Sequence, residues 1–427
     1  MLHNTEWVAV MDPATVPATM REMLQASEKV VVAPRPLALH LAIQNLMFVS
    51  SLIALPSLKD GSLHWKAPLD RQAKALRESL ENVDPGLFAE AVGKEFQSRL
   101  SAFAAGINRF AKARRRPSLP QLPVVWDEGT TRVVHAESAG APVILIPSLI
   151  NRAYILDLSH ERSLLRYLAE RGLDTYLVDW DAPGETEKTF RIDDYVQRLA
   201  RIRDHVIKAT GQKPMLVGYC MGGNLALALA HLDTAKIARL ALLATPWDFH
   251  AMAEVPTRML AVMMPALRHV IEVFGELPVD VMQAMFSSRD PSGAIRKFRQ
   301  FAGLDPESEA AQSFIELEDW LNDGVALVRA VALECLEDWY LENRPMTGRW
   351  EIAGRPVDPR SIALPSLLIV PSRDTIVPPA SALPLAGLLP NARLIELNAG
   401  HIGMMAGSKA VDRLYGPLAD WLGAGEA

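Results

Sequence analysis

"MLVGYCMGGNLALALAHL", residues 215–232, holds the order strand, tight turn, helix. Met215, Leu216 and Val217 form a short apolar run, Gly218, Gly222 and Gly223 bracket a cysteine, and an alanine- and leucine-rich stretch follows. A brief apolar run closed by glycine reads as a buried strand, and the stretch after it is rich in helix formers. The pattern is Gly-x-nucleophile-x-Gly on a sharp strand-to-helix turn, with Cys220 where serine is usual. A turn of this kind holds the apical side chain clear of the sheet, which makes Cys220 the candidate nucleophile.

Working outward, strand-like and helical runs alternate on both sides. "APVILIP" (141–147), a helix over 161–171, "DTYLVDW" (174–180) and a helix over 193–209 precede the turn, and "ARLALLAT" (238–245) follows it. Strands alternating with helices predict a parallel sheet covered on both faces, the α/β class. Between Pro246 and about Arg360 the alternation stops. A mostly helical insertion intervenes there, containing Met252, Met259, Met263, Met264, Met282 and Met285, before "SLLIVPS" (366–372) and "ARLIELN" (392–398) resume the strands. Methionines at helical spacing predict core filler, although their pliability would also suit a long apolar substrate.

Two polar signals fall just past those last strands: Asp374 in "PSRDTIVPP" and His401 in "NAGHIGMMAG". Nucleophile, acid, histidine is the chain order of the α/β-hydrolase fold, and the interruption at 246–360 is where that fold carries a helical cap. In such a triad His401 takes a proton from the nucleophile and returns it, while Asp374 fixes the imidazole's tautomer and stabilises its charged form. Two backbone N–H groups should form the oxyanion hole, one on the residue after the nucleophile and one on the loop after an early strand. Met221 is the first expected donor, and Ile150 in "IPSLINR" (146–152), with Leu149 next to it, is the second.

The chain has 427 residues, 49% of them hydrophobic and 22% charged, enough for one large domain and an accessory one. Its formal net charge of −6 predicts no nucleic-acid partner. Two cysteines, Cys220 and Cys335, make no disulfide framework and suit a reducing compartment. Residues 1–30 mix acids with bases and lack an apolar core, which predicts no secretory signal. From Pro36 to Leu58 no residue is charged, but His40, Gln44, Asn45, Ser50 and Ser51 argue for a docked helix over a membrane span. Phe88, Val92, Phe96, Leu100, Phe103, Ile107 and Phe110 recur at three and four residues, so one apolar stripe runs along a long helix and needs a partner. Lys112, Arg114, Arg115 and Arg116 close that helix, where cations suit its dipole, and "PSLPQLP" (117–123) breaks the chain. The expected division is a helical N-terminal region, 1–116, and a catalytic domain, 117–427, with the cap at about 246–360.

Taken together, "LIPSLINRAYILDL" (145–158), "RGLDTYLVDWDAPGE" (171–185), "IDDYV" (192–196), "VGYCMGGNLA" (217–226), "ATPWDF" (244–249), "SRDTIVP" (372–378) and "NAGHIG" (398–403) resemble the polyhydroxyalkanoate synthases over about residues 120–420. The similarity is closest to the short catalytic subunits of the two-subunit type. The resemblance implies an acyltransferase that polymerises (R)-3-hydroxyacyl-CoA and releases CoA, with Cys220 carrying the acyl chain, His401 as base and Asp374 as the third member. It implies no metal and no cofactor beyond the CoA thioester that is the substrate. It also implies a cytoplasmic protein at the nascent polyester granule, acting as a homodimer or with a small helical partner subunit. Two other readings stay open at this level: a cysteine hydrolase, such as an intracellular polyester depolymerase or thioesterase, and a non-catalytic granule-associated protein.

Overall fold

The computed structural model describes residues 33–116, 119–251 and 254–424; residues 1–30 and Met252 lie outside these. The chain divides into two compact units, one built on 117–282 with 323–427 and the other on 30–116 with 283–322. The helices needed below are, in chain order, α1 (Leu37–Ile53), α2 (Pro85–Lys112), α3 (Leu164–Glu170), α4 (Ile192–Thr210), α5 (Met221–Leu232), α6 (Glu254–Phe274), α7 (Gly293–Ala302) and α8 (Glu309–Asn322).

The first unit is organised by an eight-stranded sheet. Its strands are β1 (Val124–Glu128), β2 (Thr131–Ala136), β3 (Pro142–Ile146), β4 (Asp174–Asp179), β5 (Met215–Tyr219), β6 (Leu240–Leu243), β7 (Ser366–Pro371) and β8 (Ala392–Leu397), in the spatial order β1-β2-β4-β3-β5-β6-β7-β8. β2 is antiparallel to both its neighbours, and the pairs from β4 through β8 are parallel. β3, β5, β6 and β7 are buried at every position, as unbroken apolar strands must be when helices cover both faces. α5 is itself buried from Met221 to Ala230, which explains why small alanines alternate with leucines along it. The parallel strands and the helices between them coincide with the runs expected from the sequence to within three residues, the largest difference being the helix expected over 161–171 and observed over Leu164–Glu170.

The β1–β2 hairpin is an addition to that reading. It turns at Gly129, whose φ is +60°, and its signal is two β-branched runs flanking "DEGT". A buried ion pair ties it to α4: the Arg198 guanidinium, 1% exposed, donates to Glu187 at 2.6 Å and to Thr131 Oγ1 at 2.8 Å, while Thr130 N–H donates to Glu187 at 3.1 Å. Glu187 is held below the usual carboxylate range because these donors outweigh the effect of its burial. Every charge in this network has a partner, the condition under which a buried ion pair is tolerated.

The second unit supplies the partner that the apolar stripe of α2 requires. Phe103 and Phe110 pack edge-to-face on Phe298 of α7, at 6.2 and 5.6 Å between centroids, and Phe314 of α8 stacks on Phe301 at 4.3 Å. Burying each such ring contributes about 2 kcal/mol, so this cluster is the unit's core. The observed division therefore departs from the expected 1–116 and 117–427: residues 283–322, expected within the cap, pack with 33–116, because the Phe residues on α7 and α8 find their apolar partners on α2. The basic run closing α2 is engaged in the same unit. Arg115 grips Asp319 with two bonds, at 2.9 and 3.0 Å, and covers the Phe110 ring, and Arg116 pairs with Glu309 and Glu316.

α1 buries two of its polar residues and leaves Asn45, Ser50 and Ser51 exposed. His40 and Gln44 are buried, whereas Leu46, Val49 and Ile53 are 69%, 52% and 72% exposed. The helix ends at Ile53, and a second, Leu55–Asp60, starts with Pro56 in its first turn. Among the described residues no helix is long and apolar enough to cross a membrane. The methionines divide as well: Met264 and Met282 are buried, while Met259 and Met263 are exposed on α6.

Gly106 on α2 offers a test of the second unit's packing. A Cβ there would lie 2.1 Å from the backbone oxygen of Phe298, whereas one at Gly93 on the same helix meets nothing within 4 Å. Gly93→Ala should stabilise by about 0.5–1 kcal/mol through helix propensity, and Gly106→Ala should instead destabilise by about 1–3 kcal/mol as α2 and α7 are forced apart. Urea midpoints of the two variants measure this. Equal gains from both would show that the helices can separate freely.

Candidate active site

The turn at residue 220 is made possible by what is missing around it. Cys220 has φ +55° and ψ −125°, a conformation that costs a non-glycine residue of the order of 1–3 kcal/mol. It is held by Cys220 N–H donating to Leu243 O of β6 at 2.9 Å and by Gly223 N–H donating to Cys220 O at 2.9 Å. The chain can reverse this tightly only because its glycines touch backbone. A Cβ on Gly218 would lie 2.4 Å from Gly223 Cα, and one on Gly222 would lie 2.1 Å from Ile146 O. The result is a partly exposed thiol at the mouth of β5.

Asp374 follows β7 and His401 follows β8, and the structure brings both to Cys220. His401 Nδ1 lies 2.6 Å from Asp374 Oδ2, and the Cys220 side chain is within hydrogen-bonding reach of the same imidazole. The second Asp374 oxygen accepts the N–H groups of Ile376 and Val377, both at 2.8 Å, so the carboxylate cannot swing away. Both partners are buried. Burial pulls the His401 pKa down, but the negative charge available at Cys220 and the bonds to Asp374 and Cys220 outweigh it, and the group is pushed up to about 10. The arrangement sets an imidazole with a raised pKa, backed by a buried carboxylate, beside the Cys220 side chain, where it can hold or move a proton.

Tyr219 is a positioning residue that the sequence motif concealed under an "x". Its hydroxyl donates to His401 O at 3.2 Å and its ring stacks on the imidazole, 5.1 Å between centroids. Burial pushes its phenol well up, so it stays a neutral donor. The other cysteine, Cys335, lies in the Glu334–Leu341 segment, where burial pushes its thiol up and leaves it inert.

The two loops expected to supply oxyanion donors abut each other. Met221 is the first residue of α5, and the carbonyls of Ile146 and Pro147 at the end of β3 close on Gly222 one residue later. Ile150 follows in that loop. Its N–H points at Ser148 Oγ at 3.4 Å, a long bond, and its carbonyl accepts Val325 N–H at 3.0 Å. The segments around it act as clamps: Arg152 pairs with Asp181 and with Asp323, Tyr154 hydroxyl donates to Asp323 at 3.3 Å, and Trp180 Nε1 donates to Pro147 O at 3.1 Å. "INRAYILDL" and "DWDAPG" thus hold the loops after β3 and β4 in place. Among the described residues no group of three or more His, Cys, Asp or Glu could hold a metal ion.

Comparison with known proteins agrees with this architecture. The chain is 31% identical over 315 residues to the Poly(3-hydroxyalkanoate) polymerase subunit PhaC of Haloarcula marismortui, covering 70% of this chain and 66% of that protein. It is 32% identical to the subunit of the same name from Haloferax mediterranei, covering 70% and 63%, and 27% identical to that of Allochromatium vinosum, covering 67% and 81%. The matched stretch therefore spans slightly less than two thirds of the two haloarchaeal proteins. A family model described as the α/β hydrolase fold matches residues 141–408, the stretch that carries β3 through β8, Cys220, Asp374 and His401, and with the strand order and the turn at Cys220 this establishes that the chain belongs to the α/β-hydrolase-fold family.

Proposed function

We propose that the protein is a polyhydroxyalkanoate synthase, an acyltransferase that joins (R)-3-hydroxyacyl units from CoA thioesters into a polyester. The observation that carries this reading is a cysteine, not a serine, at the apex of the strained turn, within reach of a buried His401–Asp374 pair, in a chain similar to three polymerase subunits. Cysteine suits acyl transfer from CoA because one thioester is exchanged for another. The loading step is nearly balanced, and the intermediate keeps enough free energy to drive ester formation.

In the first half-reaction the Cys220 sulfur attacks the acyl carbonyl, the bond to the CoA sulfur breaks, and the His401 imidazolium gives its proton to the departing CoA thiolate. Met221 and Ile150 N–H groups are our proposed donors to the oxyanion. In the second, neutral His401 takes the proton of the 3-hydroxyl of another unit, whose oxygen attacks the Cys220 thioester and expels the thiolate. Asp374 supports the imidazolium in both. Water must be kept out for polymer to form instead of free acid, the task of the helices inserted after β6. The outward apolar face of α1, with Leu46, Val49 and Ile53, is our proposed contact for the growing polyester or a helical partner subunit.

Cys220→Ala should abolish CoA release from 3-hydroxybutyryl-CoA, a loss of at least about 10³-fold. Butyryl-CoA, which lacks the attacking hydroxyl, should load Cys220 once and stall as a thioester visible by intact mass. Continuous turnover of butyryl-CoA to butyrate would identify a hydrolase instead.

His401 supplies a pH test with a defined sign. With its pKa at about 10, the imidazole should remain protonated through neutral pH and lose its proton only well above it. In Cys220→Ala the contribution of that side chain is gone while the burial remains, so the titration should move down. Following the His401 ring by ¹⁵N NMR in both proteins measures this, and an unchanged midpoint in Cys220→Ala would dismiss Cys220 as a cause of the raised His401 pKa.

A further inference from the structure

One cavity of the first unit carries charge of a single sign. It has a volume of about 250 Å³ and is walled by the loops that follow β7 and β8 and by the turn entering Val411–Tyr415. Arg373, Lys409 and Arg413 line it and none of its lining residues is acidic, in a chain whose formal net charge is −6. The three cations converge. Arg373 and Arg413 both donate to the single carbonyl of Asn398, at 3.4 and 2.8 Å, and Arg413 N–H donates to Lys409 O at 3.0 Å, so these two side chains leave adjacent turns of one helical face.

Among the described residues no carboxylate pairs with any of the three. A shared carbonyl takes one bond from each guanidinium and leaves the other donors of each fork unused. Like charges gathered in a concave surface raise the local concentration of anions. The rest of the wall suits a small polyanion: Ser408 adds a hydroxyl, and at Gly407 a Cβ would lie 2.4 Å from Gly403 O, so the surface there is bare backbone.

The cavity is also joined to the chemistry. Arg373 precedes Asp374 and Gly400 precedes His401, and the two loops are stitched together by Ser372 N–H to Leu397 O at 2.7 Å and Arg373 N–H to Ala399 O at 3.0 Å. An anion seated here is held by the segments that carry the acid and the base.

We infer that this cavity binds a phosphoryl group and, resting on the function proposed above, that it takes the 3′-phosphate or diphosphate of the CoA carrying the acyl unit. The group is far from the reacting thioester in the CoA molecule, so it contributes to substrate capture and orientation and takes no part in bond making.

Lys409 is exposed and, among the described residues, its ammonium has no partner, so Lys409→Gln and Lys409→Glu should fold normally. With full-length protein, kcat/KM for 3-hydroxybutyryl-CoA should fall roughly three- to tenfold in Lys409→Gln and further in Lys409→Glu, mostly through KM. The preference for the CoA thioester over the N-acetylcysteamine thioester, which lacks every phosphate, should fall by the same factor. Calorimetry with 3′,5′-ADP and with inorganic phosphate reads the site without turnover. Both should bind wild type, compete with one another, and bind Lys409→Glu more weakly. Phosphate binding that 3′,5′-ADP does not displace would overturn the CoA assignment. Binding of both unchanged in Lys409→Glu and in Arg413→Gln would overturn the site itself. Absence of turnover with either thioester would end the proposed function and leave calorimetry to decide the cavity.

Discussion

The backbone at Cys220 is the constraint on which the rest of the first unit depends. A residue with a β-carbon is held at φ +55°, against a preference of the order of 1–3 kcal/mol, and only a surrounding structure that leaves no alternative can keep it there. That structure is specific. Leu243 O of β6 accepts the Cys220 N–H on one side, and Ile146 O of β3 closes on Gly222 on the other. The strands flanking β5 therefore have to be in register for the thiol to stand where it does, and the loop after β3 is brought to the start of α5 by the same contact. Strand order, glycine placement and nucleophile position are consequences of one tight reversal.

The electrostatics of the site follow from a second restriction, the burial of its partners. Asp374 has one oxygen occupied by two backbone N–H groups and the other by His401, so its orientation is fixed before any substrate arrives. Burial alone would make the imidazole neutral. The charge and bonds at Cys220 and Asp374 reverse that effect, and Tyr219 holds the ring from beneath without contributing charge. The basic cavity beside the two loops adds positive charge next to the segments that carry Asp374 and His401.

The second unit is governed by apolar packing instead. Phe103 and Phe110 on α2 interlock with Phe298, Phe301 and Phe314, drawn from a segment nearly two hundred residues away in the chain. Gly106 lets α2 and α7 approach until backbone meets backbone. Arg115 then seals the cluster by covering Phe110 while gripping Asp319. The helices 33–116 are thus structural partners of 283–322, and the stripe and the basic run at the end of α2 serve one interface.

The sequence by itself determined the elements whose signals are local. Unbroken apolar runs marked β3, β5, β6 and β7, "GYCMGG" marked the turn because only glycines tolerate such close backbone approach, and Asp374 and His401 were legible because each follows a strand in the order the fold requires. The long stripe of α2 was equally plain, since its three- and four-residue spacing is a property of one helix. What only the tertiary structure decided depends on residues distant in sequence. The partner of that stripe could not be read from α2, because an apolar face specifies that it must be covered and not by which segment, and the insertion's allegiance to two units came from Phe298, Phe301 and Phe314 meeting it in space. Tyr219 looked like any strand residue until His401 stacked on it. That His40 and Gln44 of α1 are buried beside Leu37, Leu41 and Ile43, while Leu46, Val49 and Ile53 are exposed, was likewise not legible in its composition. Arg373, Lys409 and Arg413, scattered over forty residues, became a single positive cavity only when β7 and β8 brought their loops together, because electrostatic potential sums over distance in space and not along the chain.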